Sequence, residues 1–137
     1  HLAMDKVGLA DNWLDTLQPW REQIAIGLTT WAETPEPSRS DCHAWSAHLN
    51  IEFYRMLLGI HSVAPGFSKI RLTPALGDLQ EVAGSIPHPA GIIAVTYKKR
   101  NNSLYANIAL PQGITATLEW KGQHIEINGS QTVIITE

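Results

Sequence analysis

The sequence predicts an α+β chain in which helices come first and an antiparallel β-sandwich follows. Three observations predict it. Apolar residues recur at helical spacing up to about residue 60. From about residue 69 onward they alternate in short runs separated by Gly, Asn and Pro turn signals. Between the two textures stands Pro65-Gly66-Phe67, a break that neither a helix nor a strand carries easily. The division falls within 60–68, giving a helical unit over 1–64 and a sandwich over 65–137.

The elements follow in order. Residues 2–7 read as a helix tail stopped at Gly8. Asp11 is placed to cap the next helix, with Trp13, Leu14 and Leu17 on its apolar face. Pro19 lacks an amide proton, so it kinks or restarts that helix, which continues from Trp20 to Ile26 and ends at Gly27. Residues 29–41 are polar, contain Pro35 and Pro37, and show no helical period. A loop this long is usually functional or disordered, and its Trp31 and Glu33, between two apolar helices, favour the functional reading. Ser40 or Asp41 then caps a helix whose stripe of Ala44, Ala47, Ile51, Tyr54 and Leu58 is expected in the core, with Gly59 at its end. The strands are expected at 69–73, 79–86, 91–99, 104–110, 115–120, 124–127 and 132–136, with Asn101-Asn102 as a hairpin turn. Ile93, Val95 and Tyr97 should share one face.

Composition narrows the function classes. The 137 residues are 44% hydrophobic and 17% charged, ordinary for a globular chain. With a net charge of -3 and scattered basic residues, no nucleic-acid partner is expected. Lys98, Lys99 and Arg100 read as a solvated strand end. No apolar run reaches the roughly 18 residues of a membrane span, so no membrane partner is expected either. The chain opens on His1, as a processed chain or a piece of a longer one would. Cys42 is the only cysteine, so no intrachain disulfide forms and the compartment, periplasmic or cytoplasmic, stays open. Its bland reading is a small buried hydrophobe. His43 beside it does not make a nucleophile pair, because neighbours on a helix point about 100° apart. His43 and His48, five apart, face different ways, and no metal-ligand spacing occurs, so neither a metal nor a cofactor is expected.

Chemistry concentrates between residues 27 and 46. Gly27-Leu28-Thr29-Thr30-Trp31-Ala32-Glu33 gathers hydroxyls, an indole and a carboxylate, and Ser38-Arg39-Ser40-Asp41-Cys42-His43-Ala44-Trp45-Ser46 follows. Sugar sites use such sets: indole faces stack on a pyranose, and carboxylate and imidazole hold its hydroxyls. The plainer reading makes Glu33 and Asp41 helix caps and Arg39 a surface charge. In the strand-rich half, Glu119 and Glu126 read as outward-facing, His88 as a rigid loop residue, and Trp120 as a core or edge residue rather than a sugar platform.

Gly27-x-Thr29-Thr30-x-x-Glu33, followed by Ser40-x-x-His43-Ala44-Trp45-Ser46, resembles the late motif of glycoside hydrolase family 78, the α-L-rhamnosidases. Leu58-Gly59-Ile60 and Pro65-Gly66-Phe67 resemble that family's exit from its helical barrel. The likeness spans about residues 8 to 90. It implies that the chain is a C-terminal fragment, the closing helices of an (α/α)6 barrel followed by the sandwich. It implies Glu33 as the general base of an inverting glycosidase, with His43, Trp31 and Trp45 as sugar-binding residues. The implied partners are a rhamnose-containing glycoside or polysaccharide and the remainder of the catalytic barrel, which carries the general acid. Ala32 stands before Glu33 where many members have tryptophan, which bears on pocket shape and not on the carboxylate. Two other functions compete: a carbohydrate-binding sandwich, which exposed sheet aromatics would favour, and a structural sandwich, which buried Tyr97, Tyr105 and Trp120 would favour.

Overall fold

A computed structural model describes all 137 residues as a short helical region followed by two packed four-stranded sheets. The helical region holds α1 (Leu2–Lys6), a 3₁₀ helix (Ala10–Leu17), α2 (Gln18–Ala25), a second 3₁₀ helix (Ala44–His48) and α3 (Leu49–Glu52), which runs into a π-helical turn (Phe53–Leu57). These helices form no closed ring within the chain, and none is long and apolar enough to cross a membrane. The strands are β1 (Ile60–Ser62), β2 (Lys69–Leu72), β3 (Glu81–His88), β4 (Gly91–Arg100), β5 (Ser103–Ala109), β6 (Thr115–Trp120), β7 (Gln123–Asn128) and β8 (Gln131–Thr136).

The strand half follows local pattern closely. In β4, Ile93, Val95 and Tyr97 are buried, and in β5 so are Leu104, Ala106 and Ile108. Asn101 sits at φ 52 in the β4–β5 turn, a left-handed conformation asparagine tolerates better than most residues. Pro87 lies in β3, an edge strand, where a missing donor costs no ladder bond on the open side. Two features differ from expectation. β1 was not anticipated; its three residues pair with β2, Ile60 opposite Leu72. And the sandwich is not wholly antiparallel, because β2 and β6 pair in parallel, Lys69 opposite Thr115. Between them the chain passes through β3, β4 and β5 of the other sheet, the kind of long crossover that parallel pairing requires.

The helical half departs further. Trp13 and Leu17 are buried as expected, and Pro19 does restart the helix, near the start of α2. Asp11 caps nothing; its Oδ1 accepts the Gly77 N–H at 2.9 Å, tying the helical region to the loop before β3. Of the expected stripe of Ala44, Ala47, Ile51, Tyr54 and Leu58, only Leu58 is buried, and it packs in the sandwich core. Ile51 and Tyr54 are exposed, and Leu49, Glu52, Met56 and Leu57 are buried instead. The winding changes from 3₁₀ to α to π within fourteen residues, so a 3.6-residue period does not track one face. On α2, Gln23 is buried while Ile24 and Ile26 are exposed. Cys42 is exposed rather than buried.

The core is correspondingly uneven. Seventeen buried residues form the sandwich core, reaching back to include Leu58 and Ile60. Five form the helical core: Trp13, Leu17, Leu49, Met56 and Leu57. An apolar groove of about 560 Å³ runs between the Asn50–Leu58 segment and Val82–Gly84 of β3.

Gly59 joins the two cores at φ 64, and a Cβ there would lie 2.2 Å from the Thr73 carbonyl carbon. Gly8, at φ 76, has open space where its Cβ would go. Gly8→Ala should therefore lose only the left-handed penalty of about 1–2 kcal/mol. Gly59→Ala should lose distinctly more, because backbone must move. Urea unfolding of both variants measures the difference; equal losses would show that the close approach at Thr73 carries no cost.

Candidate functional site

The chain leaves α2 through Gly27, at φ 88, and the next sixteen residues fold into an arm. Its base is fixed by Gln23, whose buried Oε1 accepts the Ala32 N–H at 2.8 Å. An amide carbonyl in that position satisfies a backbone donor that would otherwise be buried without a partner. The arm's two limbs are joined by backbone bonds: His43 N–H to the Trp31 carbonyl at 2.7 Å, and Glu33 N–H to the Ser40 carbonyl at 2.8 Å. The Thr30 hydroxyl adds a bond to the Asp41 carbonyl. At the root of the returning limb, the Trp20 indole N–H donates to the Ser46 carbonyl at 2.9 Å.

At the tip, Arg39 turns back on Glu33. Its Nε and Nη2 donate to the two carboxylate oxygens at 2.5 and 2.6 Å, a two-pronged ion pair. The Glu33 side chain is 20% exposed and that of Arg39 83%. The hydrogen bonds from Arg39 hold the Glu33 carboxyl below the usual carboxylate range; partial burial opposes this, and the charges of Arg39 and His43 reinforce it. The same pairing raises the Arg39 guanidinium further. With the folded pKa depressed, whatever the pair adds to stability is complete above the unfolded carboxyl value and lost as pH falls through the lower folded one. At neutral pH Glu33 is therefore a carboxylate and a hydrogen-bond acceptor.

The sequence-predicted residues are only partly brought together. Glu33 and His43 share the arm, close enough for the His43 charge to act on the carboxylate. Trp31 is half-buried and lines a separate apolar groove of about 320 Å³ with Trp20, Ile24, Leu49 and Phe53; Glu33, His43 and Trp45 do not line it. Trp45 is 85% exposed and touches solvent on most of its surface. Asp41 and Glu33 cap no helix, since His43 precedes the 3₁₀ helix without a side-chain bond. Two residues escaped the sequence reading. On the plainer view of the sequence Arg39 is a surface charge, and its only sequence signal is its place six residues after Glu33, across a proline-rich turn. Gln23 was missed because a single polar residue within a helix carries no sign of burial. No three His, Cys, Asp or Glu side chains stand close enough together to hold a metal ion.

Residues 59–133, from the Gly59 junction into β8, match the sequence profile of the bacterial alpha-L-rhamnosidase C-terminal domain. The chain belongs to that family. The matched stretch is more than half of the chain and leaves the arm outside it. Solved structures extend the likeness to the helical half. An alpha-L-rhamnosidase from Aspergillus terreus superposes on 96% of this chain with a TM-score of 0.83 at 18% identity, using 18% of its own length. One from Dictyoglumus thermophilum superposes on 88% with a TM-score of 0.74 at 20% identity, again over 18% of its length. A Streptomyces avermitilis alpha-L-rhamnosidase, solved in complex with L-rhamnose, superposes on 87% with a TM-score of 0.76 at 16% identity, over 15% of its length. At these identities the structures establish the shared fold. The chain spans less than a fifth of each of them. No curated protein matches the sequence.

Gln23 gives the arm its first test. Gln23→Leu keeps the volume but leaves the Ala32 N–H buried without a partner, which should destabilise the chain by about 1–3 kcal/mol. Hydrogen exchange should quicken at Ala32 and Glu33 while the strand amides stay protected. An unchanged Ala32 amide would show that Gln23 does not hold the arm.

Proposed function

We propose that the chain is the C-terminal part of an inverting α-L-rhamnosidase-type glycosidase in which Glu33 is the general base. On this reading residues 1–64 complete a helical (α/α)6 catalytic barrel and 65–137 form its closing sandwich, with β1 joining that sandwich from the N-terminal side. The observation that carries the reading is the Glu33 carboxylate, held at the tip of a braced arm by the two-pronged bond from Arg39. Membership of the rhamnosidase C-terminal family, and the fold shared with three alpha-L-rhamnosidases, support it.

The chemistry is a single displacement. Water attacks the anomeric carbon as the glycosidic C–O bond breaks. Glu33 takes the water proton, and an acid from another part of the barrel protonates the leaving oxygen. In inverting enzymes the two carboxyls stand about 6.5–9.5 Å apart to admit that water. His43 holds a sugar hydroxyl, and Trp31 and Trp45 offer ring faces to the pyranose. Substrate is a rhamnose-containing glycoside or polysaccharide. The partner is the remainder of the barrel, and exposed Trp45, Ile24 and Ile51 and the groove at Phe53, Tyr54 and Val82 are the apolar surfaces it would cover.

The sandwich has a structural role in this reading. Tyr97 is fully buried, and its hydroxyl donates to the Leu58 carbonyl at 3.2 Å, so it serves the core and presents no ring to a sugar. Tyr105, by contrast, is partly exposed, with the Arg100 guanidinium 5.9 Å from its ring centre.

In the full-length enzyme, Glu33→Gln should keep sugar binding and lower turnover by about 10²–10⁴-fold. Azide, which needs no base, should restore part of the rate and give the inverted glycosyl azide. Near wild-type turnover by Glu33→Gln would remove Glu33 from the mechanism.

The 137-residue chain alone should not hydrolyse an aryl α-L-rhamnoside, because it lacks the acid. Turnover by the purified chain that disappears with Glu33→Gln would refute the division of acid and base between segments.

A further inference from the structure

We infer that Arg39 is a positioning residue for the base, its guanidinium spanning both Glu33 oxygens and fixing the plane of the carboxylate. The inference rests on Glu33 being the base and adds a residue that the chemistry itself does not touch.

A surface arginine is ordinarily solvated and free to change rotamer, and an exposed ion pair contributes little to stability. Arg39 is 83% exposed, so fold stability does not explain where its side chain goes. Within the protein its side-chain N–H groups bond only Glu33, through two donors to two different oxygens. A glutamate has three rotatable side-chain bonds, and a single hydrogen bond leaves its plane free to turn. A fork does not. The backbone bond from Glu33 N–H to the Ser40 carbonyl sets the distance between the limbs, so the fork closes a ring from Ser40 through Arg39 to Glu33.

Occupying both oxygens does not block a base. A carboxylate offers about four lone-pair sites, and a bidentate arginine uses two. One site on each oxygen stays open to a water O–H. Two titratable or charged groups act on Glu33: Arg39 at the tip, and His43 on the returning limb. Arg39 makes the larger contribution, so it also keeps the base ionised at lower pH. A weaker but always available base results, in one orientation.

The test uses the full-length enzyme, with kcat and kcat/KM followed against pH. Arg39→Gln keeps much of the length and loses the charge and the fork. It should lower kcat roughly ten- to a hundredfold with KM changed far less, since orientation matters in the transition state. It should also move the acid limb of kcat/KM, which reports the free enzyme's base, to higher pH. Arg39→Lys keeps the charge but has no planar fork. It should hold the acid limb nearer to wild type while still losing kcat. Glu33→Gln is the reference: Arg39→Gln added to it should change nothing further. An acid limb and kcat unmoved by Arg39→Gln, with Glu33→Gln inactive, overturns the role of Arg39 alone. An active Glu33→Gln overturns the base assignment instead, and additive losses in the double variant place Arg39 elsewhere.

Discussion

Between Met56 and Ile60 the backbone runs against Thr73–Ala75 so closely that position 59 has no room for a side chain. Gly59 accepts the Thr73 N–H at 3.0 Å, and Met56 accepts the Ala75 N–H at 3.1 Å. From the other sheet, the Tyr97 hydroxyl reaches the Leu58 carbonyl. The carbonyls at the end of the last helical segment, which a helix terminus leaves without partners, are thus taken up by the sandwich. Met56 and Leu57 belong to the helical core and Leu58 and Ile60 to the sandwich core, so the hydrophobic interior divides between Leu57 and Leu58, just before the glycine. Everything N-terminal of the junction, including the arm, is oriented by it.

The rest of the seam is polar and more weakly built. Asp11 binds the Gly77 amide, and Asp5 stands 3.9 Å from Arg71. Glu52 is buried, with one oxygen 3.2 Å from Arg55 and the other without a partner. Burial, with Arg71 and Arg55 nearby, lowers the His61 pKa despite Asp5, so the ring stays neutral in the fold. Charging it on acidification is disfavoured here, and its contribution to stability is lost as pH falls. A seam held by backbone contacts at Gly59, the Tyr97 and Asp11 hydrogen bonds and one long ion pair from Asp5 to Arg71 fits a region whose helical core has only five buried residues. Ion pairs at such distances contribute little beside apolar burial.

The arm obeys a different logic. It has almost no apolar interior, apart from the buried Ala32 beside Gln23. Its form comes from hydrogen bonds made in register: Gln23 to Ala32, Trp31 to His43, Glu33 to Ser40. A carboxylate presented on such a frame has few conformations to lose when a reaction needs it in one place. That links a buried glutamine on α2, which touches no substrate in this reading, to the orientation of the proposed base.

Much of the sandwich was determined by the sequence itself. Period-two alternation names the inner residues of β4, and Asn101-Asn102 marks the turn into β5, because both depend on neighbours within a few residues. Gly8, Pro19 and Gly27 punctuate the helices for the same local reasons. The motif ending in Glu33 singled out the arm, and Glu33 and His43 are found on it together. Other features depend on partners far along the chain. The parallel pairing of β2 with β6 spans more than forty residues, and β1 is too short to announce itself before β2 lies beside it. The buried face of the 44–57 segment was unreadable because its winding changes, and no period survives that. Asp11 bonds Gly77 and not its own helix, and Arg39 bonds Glu33 across the arm, because a charged side chain takes whichever partner the fold brings within reach. Local pattern decides which way a side chain points along its own element; only the tertiary structure decides what it meets there.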